Sequence, residues 1–243
     1  MTPRQLYVFK NIRFGAKPVR FAAPRYPTNL DSSIQDPTYG PACYQIQPKA
    51  LSNPPGGSHS IKAPRNGLEQ PNPGLYDQAL LLDWVQKYVG QAGGDASQVS
   101  AWGESASAGS ILHHLVREGG TVNPGFKTFL AQSPAFEWSW DNSSDGTLDT
   151  IYRDFSGHAK CGFRYEIECL RGARVEDLAS ANQKLFDVVH QTGLFPVGPS
   201  VDGRYRCGIT RALISHVSDE TASFTPAYVV SGNPSTASTG SIH

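Results

Sequence analysis

A short apolar stretch that changes abruptly into a run of small residues constrains the fold of this chain more than any other feature. Residues 98–103 (Gln-Val-Ser-Ala-Trp-Gly) have the length and apolar content of a buried strand. Residues 104–112 (Glu-Ser-Ala-Ser-Ala-Gly-Ser-Ile-Leu) are typical of the start of a helix. The pattern predicts a strand that turns sharply into a helix, with Ser105 at the turn.

The other periodic segments predict an α/β fold. Apolar residues recur at three- and four-residue spacing over residues 75–90, which predicts an amphipathic helix. Further strands are predicted at residues 6–14, 126–132 and 211–217, and further helices at residues 145–155 and 175–192. Strands that alternate with helices imply parallel βαβ units. Residues 29–73, rich in Pro, Gly, Ser and Asn, form a long stretch without predicted regular structure.

Composition and charge exclude several classes of protein. The 243 residues are 39% hydrophobic, enough for the core of one domain, and the 21 basic residues balance the 21 acidic ones, so no nucleic-acid partner is expected. No apolar run is long enough for a membrane span, and residues 1–15 do not have the pattern of a secretory signal. The four cysteines show no metal-ligand spacing, so neither a zinc site nor another metal site is predicted.

The predicted turn has the chemistry of a nucleophilic serine. A serine hydroxyl becomes a nucleophile when a base takes its proton and when small neighbours hold it clear of the backbone. Gly103, Ala106 and Ser107 are such neighbours, and the Ala106 N–H at the start of the helix could stabilise an oxyanion. The alternative is a serine that only caps a helix, because Ser107 replaces the last glycine of the G-x-S-x-G pattern.

A longer motif surrounds this turn and resembles a known family. The runs Asn72-Pro-Gly-Leu-Tyr-Asp-Gln-Ala, Trp84-Val-Gln, Gly93-Gly-Asp, Gln98-Val-Ser, Trp102-Gly-Glu-Ser-Ala and Gly109-Ser-Ile are similar, in order and spacing, to the region around the nucleophile of type-B carboxylesterases. The segments Phe9-Lys-Asn-Ile-Arg-Phe-Gly and Leu130-Ala-Gln-Ser-Pro also resemble that family. The resemblance implies a partial α/β-hydrolase fold over residues 1–230, with an incomplete, mainly parallel sheet and helices on both faces. The polar composition of residues 231–243 predicts a disordered tail.

The resemblance also implies roles for individual residues. Ser105 corresponds to the family's nucleophile, and Glu220 to the acid that orients the catalytic histidine, although a loop acid is the alternative for Glu220. Glu104 is similar to a second carboxylate beside the nucleophile and could equally be a helix first-turn acid. Cys161 and Cys169 resemble a small disulfide loop of the family, with free thiols as the alternative.

The sequence leaves the general base unidentified. In the family the catalytic histidine follows far beyond the acid, whereas His243 lies soon after Glu220 in a stretch of Ser, Thr and Gly without an apolar anchor. His113 and His114, on the helix that begins after Ser105, and His216 are expected to have structural or surface roles. The glycine pair Gly56-Gly57 is interpreted as a turn rather than as the family's oxyanion loop.

Two functions follow as hypotheses. One is a cofactor-independent hydrolase that acts on small carboxylic esters through an acyl-enzyme on Ser105. The alternative is a catalytically inactive, truncated homologue with at most a binding role, since the resemblance shows gaps near residues 65–72 and 204–207. Under either hypothesis, residues 99–102 are expected to pair with a strand near residues 126–130, with at most an improvised partner on the other edge.

Overall fold

The computed structural model describes residues 12–28, 33, 38, 72–135, 143–185, 198–200 and 202. The predicted strand at 211–217, the end of the predicted helix at 175–192 and the predicted disordered tail lie outside these residues. The described helices and strands are α1 (Pro73–Tyr88), β1 (Ser100–Glu104), α2 (Ala106–Val116), β2 (Thr128–Gln132), α3 (Thr147–His158), α4 (Ile167–Gly172) and α5 (Val175–Lys184). None of the described helices is both long enough and apolar enough to cross a membrane.

The two described strands form a parallel pair, as the sequence predicts. Ser100 is opposite Thr128 and Glu104 is opposite Gln132, and α2 provides the crossover between the strands. Strand β1 begins at Ser100 rather than at residue 98, because Ala96–Gln98 forms a 3₁₀ turn that the Asp95 side chain caps. β2 is the only described strand paired with β1, and residues 29–71, which could supply another neighbour, lie almost wholly outside the described residues.

The faces of this pair differ in their surroundings. The Gly103 face lies against the backbone of α2 at Ser107 and Ala108. Trp102 and Leu130 point to the opposite face, since side chains alternate along a strand, and they are 75% and 44% exposed. The helix that follows the turn at Ser105 therefore packs on one face, and the largest apolar side chain of β1 lies on the other.

Two consecutive residues, the buried Asn72 and Pro73, form the N-terminus of helix α1. Pro73 occupies the first turn, where its missing N–H costs nothing, and Leu75, Ala79 and Leu80 form the buried face. Asn72 has a left-handed backbone, and its amide exchanges two hydrogen bonds of 2.9 Å with the backbone of Ser200. The N-terminus of α1 is thereby fixed to a segment 128 residues away in sequence.

Helices α3, α4 and α5 enclose an apolar cluster. Its buried members are Tyr152, Phe155, Ala159, Leu170, Leu178 and Ala181. Cys161 and Cys169 are joined by a disulfide with Cα atoms 5.7 Å apart, which confirms the bridge and excludes the free-thiol alternative. By the chain-entropy model, so short a loop contributes about 2.5 kcal/mol to stability.

The strand predicted at residues 6–14 is not found where the structure can test it. Residues 12–14 belong to no strand, and residues 6–11 lie outside the described residues. The segment that follows instead docks on α4: Arg20 donates hydrogen bonds from Nη1 to the carbonyl oxygens of Leu170, Arg171 and Ala173 at 3.2, 3.0 and 2.7 Å. Alternation predicts a strand only where one face is buried, and Ile12, at the described end of this stretch, is 48% exposed.

Candidate active site

Ser105 lies at the turn between β1 and α2, which confirms its predicted position. Its backbone angles are φ 54° and ψ −123°, a conformation that a residue with a side chain adopts at a cost of about 1 to 3 kcal/mol. The Ser105 N–H donates to the Gln132 carbonyl at 3.0 Å, and the Ser105 carbonyl accepts from Gly109 and Ala135, each at 3.0 Å. Backbone contacts from both β2 and α2 therefore hold the strained residue in place.

Close packing of strand against helix makes this turn possible. A Cβ atom at Gly103 would lie 2.7 Å from the carbonyl carbon of Ser107 and 2.8 Å from the nitrogen of Ala108. Both neighbouring atoms belong to the backbone and cannot rotate away. Glycine is therefore required two residues before Ser105, whereas Ser107 is accommodated in place of the second glycine of the motif because it lies exposed on the first turn of α2.

The Ser105 hydroxyl is not used for capping. Ser105 occupies the N-cap position of α2 but makes no side-chain capping hydrogen bond, which argues against the helix-cap alternative. Ala106 is the first residue of the helix, where backbone N–H groups have no intrahelical acceptor and the helix dipole is positive. An anion forming beside Ser105 would meet these groups.

Glu104 is the last residue of β1 and is exposed. It follows Gly103, whose face of the strand is covered by α2, so the Glu104 side chain points to the other face of the sheet. It belongs to the strand rather than to the first turn of α2, so the alternative of a helix first-turn acid is wrong. A role beside the nucleophile stays a prediction.

The histidines of α2 lie away from the turn and are buried, in agreement with structural roles. His113 and His114 are 5% and 3% exposed. Eight residues of helix place His113 roughly 12 Å along the axis from Ser105, too far for proton transfer. Burial, followed by the charges of Arg117 and His113, lowers the pKa of His114 from 6.5 to about 4. His114 is therefore neutral at pH 7.

This burial predicts a stability that depends on pH. Between about pH 6.5 and 4 the unfolded chain protonates His114 while the folded chain does not, so stability is highest above pH 6.5 and falls as the pH decreases. The loss should reach about 3 kcal/mol and level off below pH 4. Urea unfolding at several pH values measures it. A His114→Gln variant, which does not titrate, should lose this part of the slope, and an unchanged slope would show the interpretation to be wrong.

Other predicted site residues lie outside the described residues. These are Glu220, His216 and His243. In the described part of the chain, no three His, Cys, Asp or Glu side chains are grouped as a metal site would require. Sequence reasoning missed the contribution of Gln132 and Ala135, which bind the Ser105 backbone through their own backbones. Contacts between backbone atoms do not depend on residue type. Only the Gln-Ser-Pro motif at residues 132–134 could therefore have indicated this contribution.

Comparisons with known proteins find lipases and carboxylesterases that are similar in sequence. A secreted lipase of Arthroderma benhamiae is 35% identical over 168 residues, which are 63% of this chain and 31% of the lipase. The carboxylesterase patB of Penicillium expansum is 34% identical over 136 residues, 56% of this chain and 23% of that protein. The matched stretch thus spans less than a third of the length of either relative.

Solved structures show the same fold. A thermophilic PNB esterase superposes with a TM-score of 0.61 at 19% identity, covering 80% of this chain and 53% of that protein. The fold is therefore a partial α/β-hydrolase fold, as the family resemblance implies. The model of the carboxylesterase family matches residues 66–230. Since that match covers more than half of the chain, the protein belongs to the carboxylesterase family.

Proposed function

We propose that this chain is a carboxylic-ester hydrolase in which Ser105 forms the acyl-enzyme. The observation that carries the proposal is the conformation of Ser105. A serine held at φ 54° and ψ −123° between a strand and a helix carries backbone strain, and its hydroxyl makes no capping hydrogen bond. Strain of this kind is found where a fold presents a nucleophile. Membership of the carboxylesterase family supports the same conclusion.

The proposed reaction has two halves. The Ser105 Oγ attacks the ester carbonyl carbon while a base takes the hydroxyl proton, and the carbonyl oxygen becomes an oxyanion that the Ala106 N–H stabilises. The intermediate collapses, the alcohol leaves with the proton from the base, and the acyl group stays on Ser105. Water then attacks the acyl-enzyme by the same route, which releases the carboxylic acid and restores the serine.

Glu220 is proposed as the carboxylate that orients the base and compensates its charge. The support for it is the family resemblance around residues 218–224, since Glu220 lies outside the described residues. The base itself is not assigned to any residue. The domain that carries the activity is proposed to extend over residues 1–230, of which the family match covers 66–230.

Small neutral esters are the proposed substrates. The chain has a formal net charge of zero, so it offers no overall field to attract a charged substrate. The relatives named above are a lipase and a carboxylesterase, both of which suggest a carboxylic ester rather than an amide or a phosphate ester. No cofactor or metal is needed for the proposed steps.

A fluorophosphonate probe tests the proposal because it reacts with serines that an enzyme has activated. Folded protein should acquire one adduct, and peptide mapping should locate it on Ser105. The fold must be checked in the same sample by circular dichroism. Folded protein that acquires no adduct would contradict the proposal and favour the non-catalytic homologue.

A further inference from the structure

One glutamine of α1 binds two side chains of the helix that follows the nucleophile. Gln78 donates a hydrogen bond from Nε2 to the Ser110 Oγ at 3.3 Å, and its Oε1 lies 3.0 Å from the His114 Nε2. Ser110 and His114 are four residues apart and so lie on the same face of α2. Both ends of one amide are therefore bound to one face of the nucleophile helix.

The direction of these hydrogen bonds follows from the chemistry of the three groups. Because Nε2 of Gln78 is the donor toward Ser110, its Oε1 can only accept, so His114 carries a proton on Nε2. Burial keeps His114 neutral at pH 7 by lowering its pKa to about 4. The amide is therefore held in one orientation, and it constrains both the rotation and the axial position of α2.

The hydrogen bonds continue from Gln78 to the nucleophile turn. The Ser110 Oγ donates to the Ala106 carbonyl at 2.9 Å. Ala106 directly follows Ser105, and its N–H is the proposed oxyanion donor. A chain of two hydrogen bonds thus leads from α1 to the residue beside the nucleophile.

We propose that Gln78 is a positioning residue for the hydrolysis assigned above: by holding Ser110 and His114, it sets the placement of the first turn of α2 relative to Ser105. The inference rests on the proposed function. On the strand side, Ser105 is already fixed by the backbone of β2. On the helix side, the ψ angle of Ser105 (−123°) sets the direction of the Ala106 N–H relative to the Ser105 Oγ, and the placement of α2 constrains that angle. Small displacements of such groups slow catalysis strongly.

The same helix offers a matched control. Gln86 also belongs to α1, and its Nε2 donates to the carbonyl oxygens of Ala96 and Gly125 at 3.0 and 2.8 Å. Ala96 lies in the 3₁₀ turn before β1 and Gly125 in the loop before β2, both outside α2. Replacing either glutamine by methionine removes two hydrogen bonds and keeps the length of the side chain, so both variants should lose stability, but only one contacts the nucleophile helix.

The experiment compares Gln78→Met and Gln86→Met with the native chain, well below the melting temperature of each. The second-order rate constant for fluorophosphonate labelling of Ser105 should fall about fivefold in Gln78→Met, the factor that corresponds to about 1 kcal/mol, and stay unchanged in Gln86→Met. Amide hydrogen exchange over residues 109–112 should accelerate in Gln78→Met alone. A purely structural glutamine would lower the melting temperature without changing the labelling rate.

Equal labelling rates in the native chain and in Gln78→Met would overturn the inference. If the native chain is not labelled at all, the proposed function fails instead, and hydrogen exchange then decides whether Gln78 positions α2. Faster exchange at residues 109–112 in Gln78→Met, but not in Gln86→Met, would support that role. Exchange equal to that of the native chain would overturn it.

Discussion

Replacing Ser105 by alanine should reduce the rate of hydrolysis of a short-chain p-nitrophenyl ester by roughly a thousandfold or more. The change removes the hydroxyl oxygen that is proposed to form the acyl-enzyme. Alanine has a Cβ like that of serine, so the backbone at φ 54° is no more strained than before. The variant should therefore fold as well as the native chain.

Ser107 supplies the control for this experiment. It lies two residues further on, exposed on the first turn of α2, and carries the same hydroxyl on an ordinary helical backbone. Ser107→Ala should therefore hydrolyse the ester at nearly the native rate. A Ser105→Ala variant with native activity, or a Ser107→Ala variant without any, would assign the chemistry to a different residue.

The sequence predicted the nucleophile turn well because several local signals agree there. The apolar run of β1, the small residues around Ser105 and the periodicity of α1 all favour a strand–turn–helix unit packed against α1. Tertiary packing in the structure is consistent with these local preferences. The disulfide between Cys161 and Cys169 was instead implied by the family resemblance, and the structure confirms it.

What sequence reasoning could not find are contacts between distant polar groups. Arg20 donates hydrogen bonds to carbonyl oxygens about 150 residues away. The side-chain amide of Asn72 binds the backbone of Ser200, 128 residues away. Gln78 was part of the recognised motif, yet nothing in its neighbours shows that both ends of its amide bind α2. Such partners depend on how helices are arranged in space, and hydrophobic periodicity does not encode that arrangement.

The requirement for glycine at position 103 gives the second large expected effect. Gly103→Ala should lower the free energy of unfolding by about 3 kcal/mol, the upper part of the range for overpacked sites. The added methyl carbon would lie 2.7 to 2.9 Å from three backbone atoms of Ser107 and Ala108, and neither partner can move without moving α2. The strand and the helix must separate, which displaces the turn at Ser105.

Urea unfolding measures the loss of stability, and fluorophosphonate labelling measures the displacement of Ser105. Gly74→Ala is the matched control, because a methyl group at this position of α1 meets nothing within 4 Å and alanine favours a helix over glycine. That variant should be as stable as the native chain or slightly more stable, with native labelling.

Gly103→Ala should be labelled more slowly even under conditions in which it is fully folded, because strand and helix no longer meet at the distance that holds Ser105 in its strained conformation. A Gly103→Ala variant with native stability and native labelling would contradict this prediction. It would show that the space between β1 and α2 can accommodate a methyl group at position 103.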